Sequence, residues 1–225
     1  MAITLGTPAS SAGGSDGTTR TLSFTVAAGD ERVLVVLFAT DTSGAQTVTN
    51  VTYAGSSLNL AIRAAAGGNK RSEIWYLVNP PVGTADIVAT YSVDNYNSFG
   101  AIVLYGVRQS VPIDNVGSSA GAGTVSALIR TYKDNSLVLD IVSKDNSVVV
   151  GADQTEQWAV SYSFNEMQGS SQPTTTAGSQ VISWTGAAGD YSQSIAAFAE
   201  GQGGNGAKLP NKSLRPAAFT PGIAR

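Results

Sequence analysis

The longest apolar stretch of this chain covers only residues 33–39, which is the length of a β-strand and far too short to span a membrane. It is rich in β-branched residues, and such a continuous apolar run predicts a strand that is covered on both faces. Residues 21–26 instead alternate polar and apolar side chains, as a strand with one buried face does. No segment keeps the period of an amphipathic helix. The chain is therefore expected to be all-β.

About a dozen strand-length segments follow one another, separated by turns rich in Gly, Asn, Asp and Pro. Such a pattern indicates an antiparallel β-sandwich or jelly roll, expected over residues 1–200. Residues 109–123 are expected to form a loop because they contain a proline and several glycines. In the second half, the predicted strands are 125–129, 136–143, 155–164, 179–185 and 191–199. The predicted core contains Val35, Leu37, Trp75, Leu77, Val103, Leu139 and Ile141.

An apolar strand between two carboxylates occurs twice, at a separation of 104 residues. Asp30 and Asp41 flank the first copy, and Asp134 and Asp145 flank the second. One interpretation is an internal duplication that gives two pseudo-symmetric portions of one sandwich. The other is a chance likeness, since any two buried strands between Asp-containing turns look alike. The pattern favours the duplication without excluding chance.

Histidine and cysteine are both absent, which limits the chemistry available to the chain. Without them there is no Ser-His-Asp or Cys-His catalytic group, no disulfide, and no thiolate or imidazole metal site. The first residues have neither the basic region nor the apolar region of a signal peptide. Synthesis in a cytoplasm is therefore expected.

Charge is divided unevenly along the chain. Residues 1–200 contain nine basic and sixteen acidic residues, a net charge of −7, whereas residues 201–225 contain four basic and no acidic residues. Nucleic-acid surfaces need clustered Lys and Arg, so an acidic body argues against that kind of partner. The basic tail could contact an acidic partner, a nucleic acid or nothing.

Two glycine motifs lack the context that their chemistry requires. Gly117-Ser118-Ser119-Ala120-Gly121 has the spacing of a nucleophile elbow, but the chain has no histidine base and a strand is predicted next. Residues 201–206 match a dinucleotide-binding motif, yet Pro210 follows where a helix would have to begin. We interpret the first as a flexible loop and the second as a flexible linker.

Several acidic residues have both a functional and a structural interpretation. Glu156, Glu166 and Asp190 could supply the carboxylate pair of a glycosidase. Residues 94–97 and 145–146 carry oxygen ligands suited to calcium, but no complete ligand loop. Carboxylates and amides in turns are the commoner explanation for all of them. No catalytic, metal-binding or cofactor-binding residue is therefore predicted, and the chain is expected not to be an enzyme.

The aromatic residues Trp75, Trp158, Trp184 and Tyr162 could form a platform on which a sugar ring stacks. Packing into a core is the alternative, and it is favoured for Trp75 and Trp184 because both lie in strong strand patterns.

Four segments of the chain, read in order, resemble a known type of protein. They are residues 51–58, 73–84, 105–112 and 154–158, and the most distinctive is E-I-W-Y-L-x-N-P-P-x-G-T at 73–84. The pattern is similar to β-sandwich proteins in the structural modules of tailed phages and in bacterial surface proteins. The ending 214–225 resembles the short Arg/Pro tails of some phage structural proteins. This resemblance brings no catalytic residues with it.

The resemblance implies a non-enzymatic virion protein, in particular a capsid decoration or cement protein on the outside of the phage head. Its partner would be the major capsid protein or another virion protein, and it would assemble as a homotrimer. Neither a membrane nor a nucleic acid is expected as a partner. The alternative is a carbohydrate-binding or host-adhesion module of a tail fibre or surface protein.

Residues 201–225 are predicted to form an extended basic arm that becomes ordered against a neighbouring subunit or the shell. The alternative is a disordered terminus with no role. Glycines make its first part flexible, and three prolines oppose helix formation in the rest. Basic side chains would pair with carboxylates and apolar ones would fill pockets on the partner. The predicted contact residues are Lys208, Lys212, Leu214, Arg215, Phe219, Ile223 and Arg225.

Overall fold

A computed structural model describes residues 2–14, 17–41, 46–65, 68–94, 96–162 and 165–202. Within these ranges the chain forms 18 strands and no helix, and the strands pair antiparallel in four sheets. The predicted all-β sandwich class is confirmed. Two sheets come from the first half of the chain and two from the second, and each half is a sandwich of its own.

The first half has an outer and an inner sheet. The N-outer sheet contains, in spatial order, β3 (Thr19–Val26), β9 (Gly83–Tyr91), β5 (Val48–Tyr53) and β6 (Ser56–Ser57). The N-inner sheet has β1 (Thr4–Leu5) and β2 (Ala9–Ser10) on one edge, followed by β10 (Tyr96–Tyr105), β4 (Val33–Asp41), β8 (Lys70–Val78) and β7 (Asn59–Arg63).

The second half is built in the same way. The C-inner sheet contains β11 (Ile113–Ala122), β18 (Asp190–Phe198), β13 (Leu137–Asp145), β16 (Asn165–Pro173) and β15 (Thr155–Tyr162). The C-outer sheet contains β12 (Val125–Thr131), β17 (Gly178–Gly186) and β14 (Val148–Val150).

Strand order is shared by the two halves. The central strands β4 and β13 begin 104 residues apart, at Val33 and Leu137. β4 lies between β10 and β8, and β13 lies between β18 and β16. A position in one half therefore has a counterpart in the other, defined by its partner on β4 or β13. The carboxylates Asp41 and Asp145 are one such pair.

The four sheets stack in the order N-outer, N-inner, C-inner and C-outer, with an apolar core between each neighbouring pair. Alternate residues of β4 point into different cores: Leu34, Val36 and Phe38 into the first half, Val35 and Leu37 into the layer between the halves. Nearly every residue of β4 is buried, which confirms the prediction that this strand is covered on both faces.

The core between the halves includes a tryptophan held between glycines. Trp158 on β15 is buried, and a Cβ added to Gly100 would lie 1.9 Å from its Nε1 atom. A Cβ on Gly169 would lie 2.6 Å from the same atom. The indole therefore occupies space that any larger residue at these two positions would take.

The structure confirms most of the predicted core and corrects one predicted loop. Six of the seven predicted core residues are buried, and Leu77 is half-buried. Residues 109–123 were expected to be a loop, but Ile113–Ala122 is edge strand β11, so the loop interpretation of residues 117–121 is also wrong. Hydrogen bonds to β18 hold this segment extended, although its own residues have weak strand propensity.

Candidate functional site

A polar cleft opens between the two inner sheets, at the ends of β4 and β13. We call it the inter-sandwich cleft. Its volume is about 610 Å³, and its walls are Asp41, Asn69, Lys70, Tyr96, Asp145, Tyr162, Asn165 and Asp190. Both halves of the chain contribute to it, so it exists only when the two sandwiches are stacked.

The symmetry of the strand order explains which side chains meet there. Asp41 on β4 is the cross-strand partner of Lys70 on β8, and Asp145 on β13 is the partner of Asn165 on β16. Directly opposed residues of an antiparallel pair point to the same face of the sheet. Both pairs point toward the layer between the halves, where they meet one another.

Lys70 lies at the centre of this group and is almost fully buried. Its Nζ atom is 2.9 Å from Asp41 Oδ1 and 2.8 Å from Asp145 Oδ1, and it also donates a hydrogen bond to Asn165 Oδ1. Asn165 Nδ2 donates in turn to Asp41 Oδ2. One ammonium group thus links a carboxylate from each half, and the buried charge has the paired partners that it requires.

Two tyrosine rings from different halves lie against one another in the wall of the cleft. The ring centroids of Tyr96 and Tyr162 are 4.8 Å apart, with the planes tilted by 34°. Tyr96 is 37% exposed, so the aromatic surface is accessible from solvent. Asp190 is half-buried in the same wall, and no described residue donates a hydrogen bond to its carboxylate.

Deeper in the same layer, hydroxyl groups connect the halves. Ser72 Oγ lies 3.1 Å from Ser192 Oγ and 2.9 Å from Ser194 Oγ, and Ser143 Oγ donates to the carbonyl oxygen of Thr40 at 2.9 Å. Farther from the cleft, apolar side chains such as Leu37, Leu139 and Phe198 fill most of the layer. The contact between the sandwiches therefore changes from apolar to polar toward the cleft.

A second lysine approaches the cleft from the other side of the C-inner sheet. Lys144 is buried, and its Nζ donates to the carbonyl oxygen of Gly189 at 3.4 Å. Burial lowers the pKa of Lys144, while the nearby carboxylates of Asp145 and Asp190 partly oppose that shift. Lys70 is therefore the lysine that lies among the three carboxylates lining the cleft, whereas Lys144 lies on the opposite face of the C-inner sheet.

The glycosidase hypothesis does not fit the geometry. Glu156 pairs with Ser170, and Glu166 pairs with Ser161, so they lie five positions apart along β15, or about 17 Å. Glycosidase carboxylates lie about 5–9.5 Å apart. Asp190 points into the layer between the halves. Glu166, by contrast, lies opposite Lys144 on the other face of the sheet.

The sugar-platform hypothesis fails as well, because the three tryptophans lie in three different cores. Trp75 packs in the first half, Trp158 between the halves and Trp184 in the second half, and all three are buried. The core interpretation of Trp75 and Trp184 is confirmed. Tyr162 alone reaches a surface, at the cleft.

Three further predictions concern metal binding, membrane spanning and the C-terminal arm. Within the described ranges, no cluster of three or more acidic residues is arranged to hold a metal ion. No helix suited to crossing a membrane occurs in the part of the chain that the structure describes. The predicted contact residues of the arm, Lys208, Lys212, Leu214, Arg215, Phe219, Ile223 and Arg225, lie outside the described residues.

Comparisons with protein-family models, with curated proteins and with solved structures gave no match to this chain.

Sequence reasoning did not single out Lys70, Asn165 or the tyrosine pair. One signal was present, because Asp41 and Asp145 are the closing residues of the 104-residue repeat. Each follows a strand that is buried on both faces, so each emerges where the layer between the halves ends. Lys70 carried no signal in the sequence, since a lysine at the start of a strand is ordinarily a solvent-exposed residue.

Proposed function

We propose that the protein is a non-enzymatic structural protein of a phage virion, a capsid decoration or cement protein that stabilises the outside of the head. The proposal comes from the resemblance of residues 73–84 and the other segments to phage β-sandwich proteins. The structural role of residues 73–84 supports the proposal, because polar side chains of this stretch hold the first sandwich together.

Glu73 shows this use most clearly. Its carboxylate is buried and accepts hydrogen bonds from Trp75 Nε1 at 2.9 Å and from the backbone N–H of Val48 at 2.9 Å, and it pairs with Arg63 Nε at 2.8 Å. It therefore ties three strands, β5, β7 and β8, across both sheets of the half. Every polar atom of the carboxylate is committed to structure.

The end of the stretch forms the turn that connects β8 of the N-inner sheet to β9 of the N-outer sheet. Asn79 has a φ of 49° and Gly83 a φ of 122°, both in the left-handed region, and Asn79 Oδ1 accepts a hydrogen bond from Arg32. Asn and Gly are the residues that adopt such angles most easily. The Asn-Pro-Pro-x-Gly pattern is thus a requirement of the turn.

The proposal also covers the origin of the fold. We propose that each half is a jelly roll and that both halves descend from one duplicated unit, which the strand order that they share supports. The 104-residue spacing of β4 and β13 supports the same conclusion.

The particle-bound form would be a homotrimer, with the basic arm as its contact element. The body ends at Gly201, whose N–H donates to the carbonyl oxygen of Gly106 at 2.7 Å. This point lies at the pole that also carries Glu31 and Arg108, so the arm begins at one defined end of the stack.

Binding of the full chain to purified heads that lack decoration proteins tests the function. We expect saturable binding on the outside of the shell and a thermally more stable head. Deleting residues 207–225 should leave the sandwiches folded and weaken binding. A chain that does not bind heads but binds defined glycans on an array would overturn the proposal in favour of the adhesion alternative.

A further inference from the structure

The inter-sandwich cleft contains more negative than positive charge. Lys70 is shared between Asp41 and Asp145, at 2.9 and 2.8 Å, and Lys144 bonds to a backbone carbonyl rather than to a carboxylate. No described residue donates a hydrogen bond to the Asp190 carboxylate. Among the described residues that line the cleft, three carboxylates face one ammonium group, that of Lys70, so additional positive charge would balance the cleft.

The shape of the cleft indicates what kind of cation. A guanidinium group can bond to the Asp190 carboxylate through two parallel N–H groups and can place its flat face on a tyrosine ring. The Tyr96 and Tyr162 rings lie in the same wall, and Tyr96 is exposed. A neutral sugar would leave the charge of Asp190 uncompensated, and an anion would be repelled.

Residues 201–225 carry the complementary charge, with four basic and no acidic residues. The described chain leaves the body at Gln202, beside Glu31 and Arg108. These residues lie at the start of β4, whereas the cleft lies at its end, Asp41. The two sites are about 27 Å apart along the strand, at opposite poles of the stack.

A donor at one pole and an acceptor at the other predict a head-to-tail contact between copies. Such a contact is heterologous, and it closes into a ring when the rotation between copies permits. Arg215 is 13 residues beyond Gln202 and can reach about 44 Å. This reach is sufficient for an adjacent copy whose cleft faces the exit pole.

We propose that the inter-sandwich cleft is the acceptor site for an arginine of the C-terminal arm of a second copy of this chain, with Asp190 and the tyrosine pair as its contacts. The inference rests on the proposed arm-mediated homo-oligomer but does not depend on a capsid.

Zero-length carbodiimide cross-linking of the full chain tests it, because this reagent joins carboxylates to amines that are in contact. An equal mixture of ¹⁴N- and ¹⁵N-labelled chains, analysed by mass spectrometry, separates links between copies from links within one chain. We expect mixed-isotope links between the peptide containing Asp145 or Asp190 and the peptide containing Lys208 or Lys212. Links found only within one isotope would overturn the proposal, since the arm would then occupy its own cleft.

Matched variants identify the contacts. Asp190→Asn and Arg215→Gln should each lower the yield of the links to Asp145 about fivefold, because an exposed ion pair contributes up to about 1 kcal/mol. Asp145 and the lysines that report the contact are unchanged in both. Asp86→Asn, an exposed position on the N-outer sheet, removes the same charge and should have no effect. Equal yields in all variants would overturn the assignment, and circular dichroism confirms that each is folded.

The outcomes separate this inference from the proposed function. A chain that binds heads but shows no links between arm and cleft contradicts the inference alone. A chain that shows the links but does not bind heads contradicts the proposed function alone.

Discussion

The two halves have the same strand order but compensate their buried carboxylates in different ways. In the first half, Glu73 is paired with the guanidinium of Arg63 and with two N–H donors. In the second half, Asp140 accepts hydrogen bonds only from neutral groups: Trp184 Nε1 at 2.7 Å, Gln193 Nε2 at 2.9 Å and the Ser170 hydroxyl. Burial raises the pKa of Asp140 to about 6, although these hydrogen bonds partly oppose the shift.

The contrast teaches that a shared backbone does not require a shared polar core. The counterpart of Asp140 is Val36, and the counterpart of Glu73 is Gln168, so neither carboxylate is a feature of the strand order itself. Each half instead closes its core around a different charged residue. Exchanging residues between counterpart positions therefore distinguishes residues that the shared strand order requires from residues that are particular to one half.

The largest effect is expected from Lys70→Asn, which places the counterpart residue Asn165 at the first-half position. Asp41 and Asp145 would then face one another without a cation. Removing one partner of a buried ion pair costs about 3–5 kcal/mol, and the lower end applies because the Asp145 side chain is 41% exposed. Urea denaturation should show a loss of about 3 kcal/mol. Lys133→Asn, at an exposed turn, is the control. Equal losses of stability in the two variants would show that Lys70 does not stabilise the fold by pairing with the two carboxylates.

Gly100→Ser is the next exchange, since Ser194 is the counterpart of Gly100 on β18. The added Cβ would meet the Trp158 indole at 1.9 Å, so the ring must shift within a filled core. Overpacking of this kind costs about 2 kcal/mol. Thermal unfolding should show the loss, and the double variant with Trp158→Leu should recover part of it. No recovery would mean that the backbone, and not the indole, resists the substitution.

A smaller effect is expected from pH, and it separates the two buried carboxylates. The pKa of Asp140 in the folded state, about 6, lies above the unfolded value of 3.8, so the folded state takes up the proton first. The contribution of this group to stability therefore increases as the pH falls from 7 to 5, and is lost as the pH rises through 6. The expected gain on acidification is about 1 kcal/mol.

Asp140→Asn removes this titration and preserves the shape of the side chain. The difference in stability between the variant and the original protein should then depend on pH by about 1 kcal/mol between pH 5 and 7. Asp86→Asn, which changes an exposed carboxylate, should show a constant difference. If both variants behave alike, the Asp140 carboxyl does not titrate in this range.

The smallest effect is expected on the outer faces. The C-outer sheet exposes Leu128 and its cross-strand partner Val181, at 70% and 55% exposure, whereas the N-outer sheet presents threonines such as Thr25 and Thr84. Leu128→Thr should change stability by less than about 0.5 kcal/mol in chemical denaturation, as exposed positions usually do. A loss of more than about 1 kcal/mol would show that Leu128 is covered in solution.

Much of the fold could be predicted from the sequence because strand patterns report burial directly. The apolar run that became β4 and the core position of Trp75 were predicted and are confirmed. β16 escaped prediction because its residues are mostly polar, yet all but two of its side chains are buried. Its Gln and Ser side chains are hydrogen-bonded to neighbours such as Asp140 and Gln154, which only the assembled sheets supply.

By itself, the sequence determined the secondary structure class, most of the strands and the residues of the core, because these depend on local periodicity and on the removal of apolar surface from water. Only the tertiary structure decided that the sandwiches number two, that edge strand β11 forms from glycine-rich chain, and that Lys70 is buried between Asp41 and Asp145. The reason is physical: those outcomes depend on pairing between residues that are distant along the chain, and the free energy of such a pair belongs to neither residue alone.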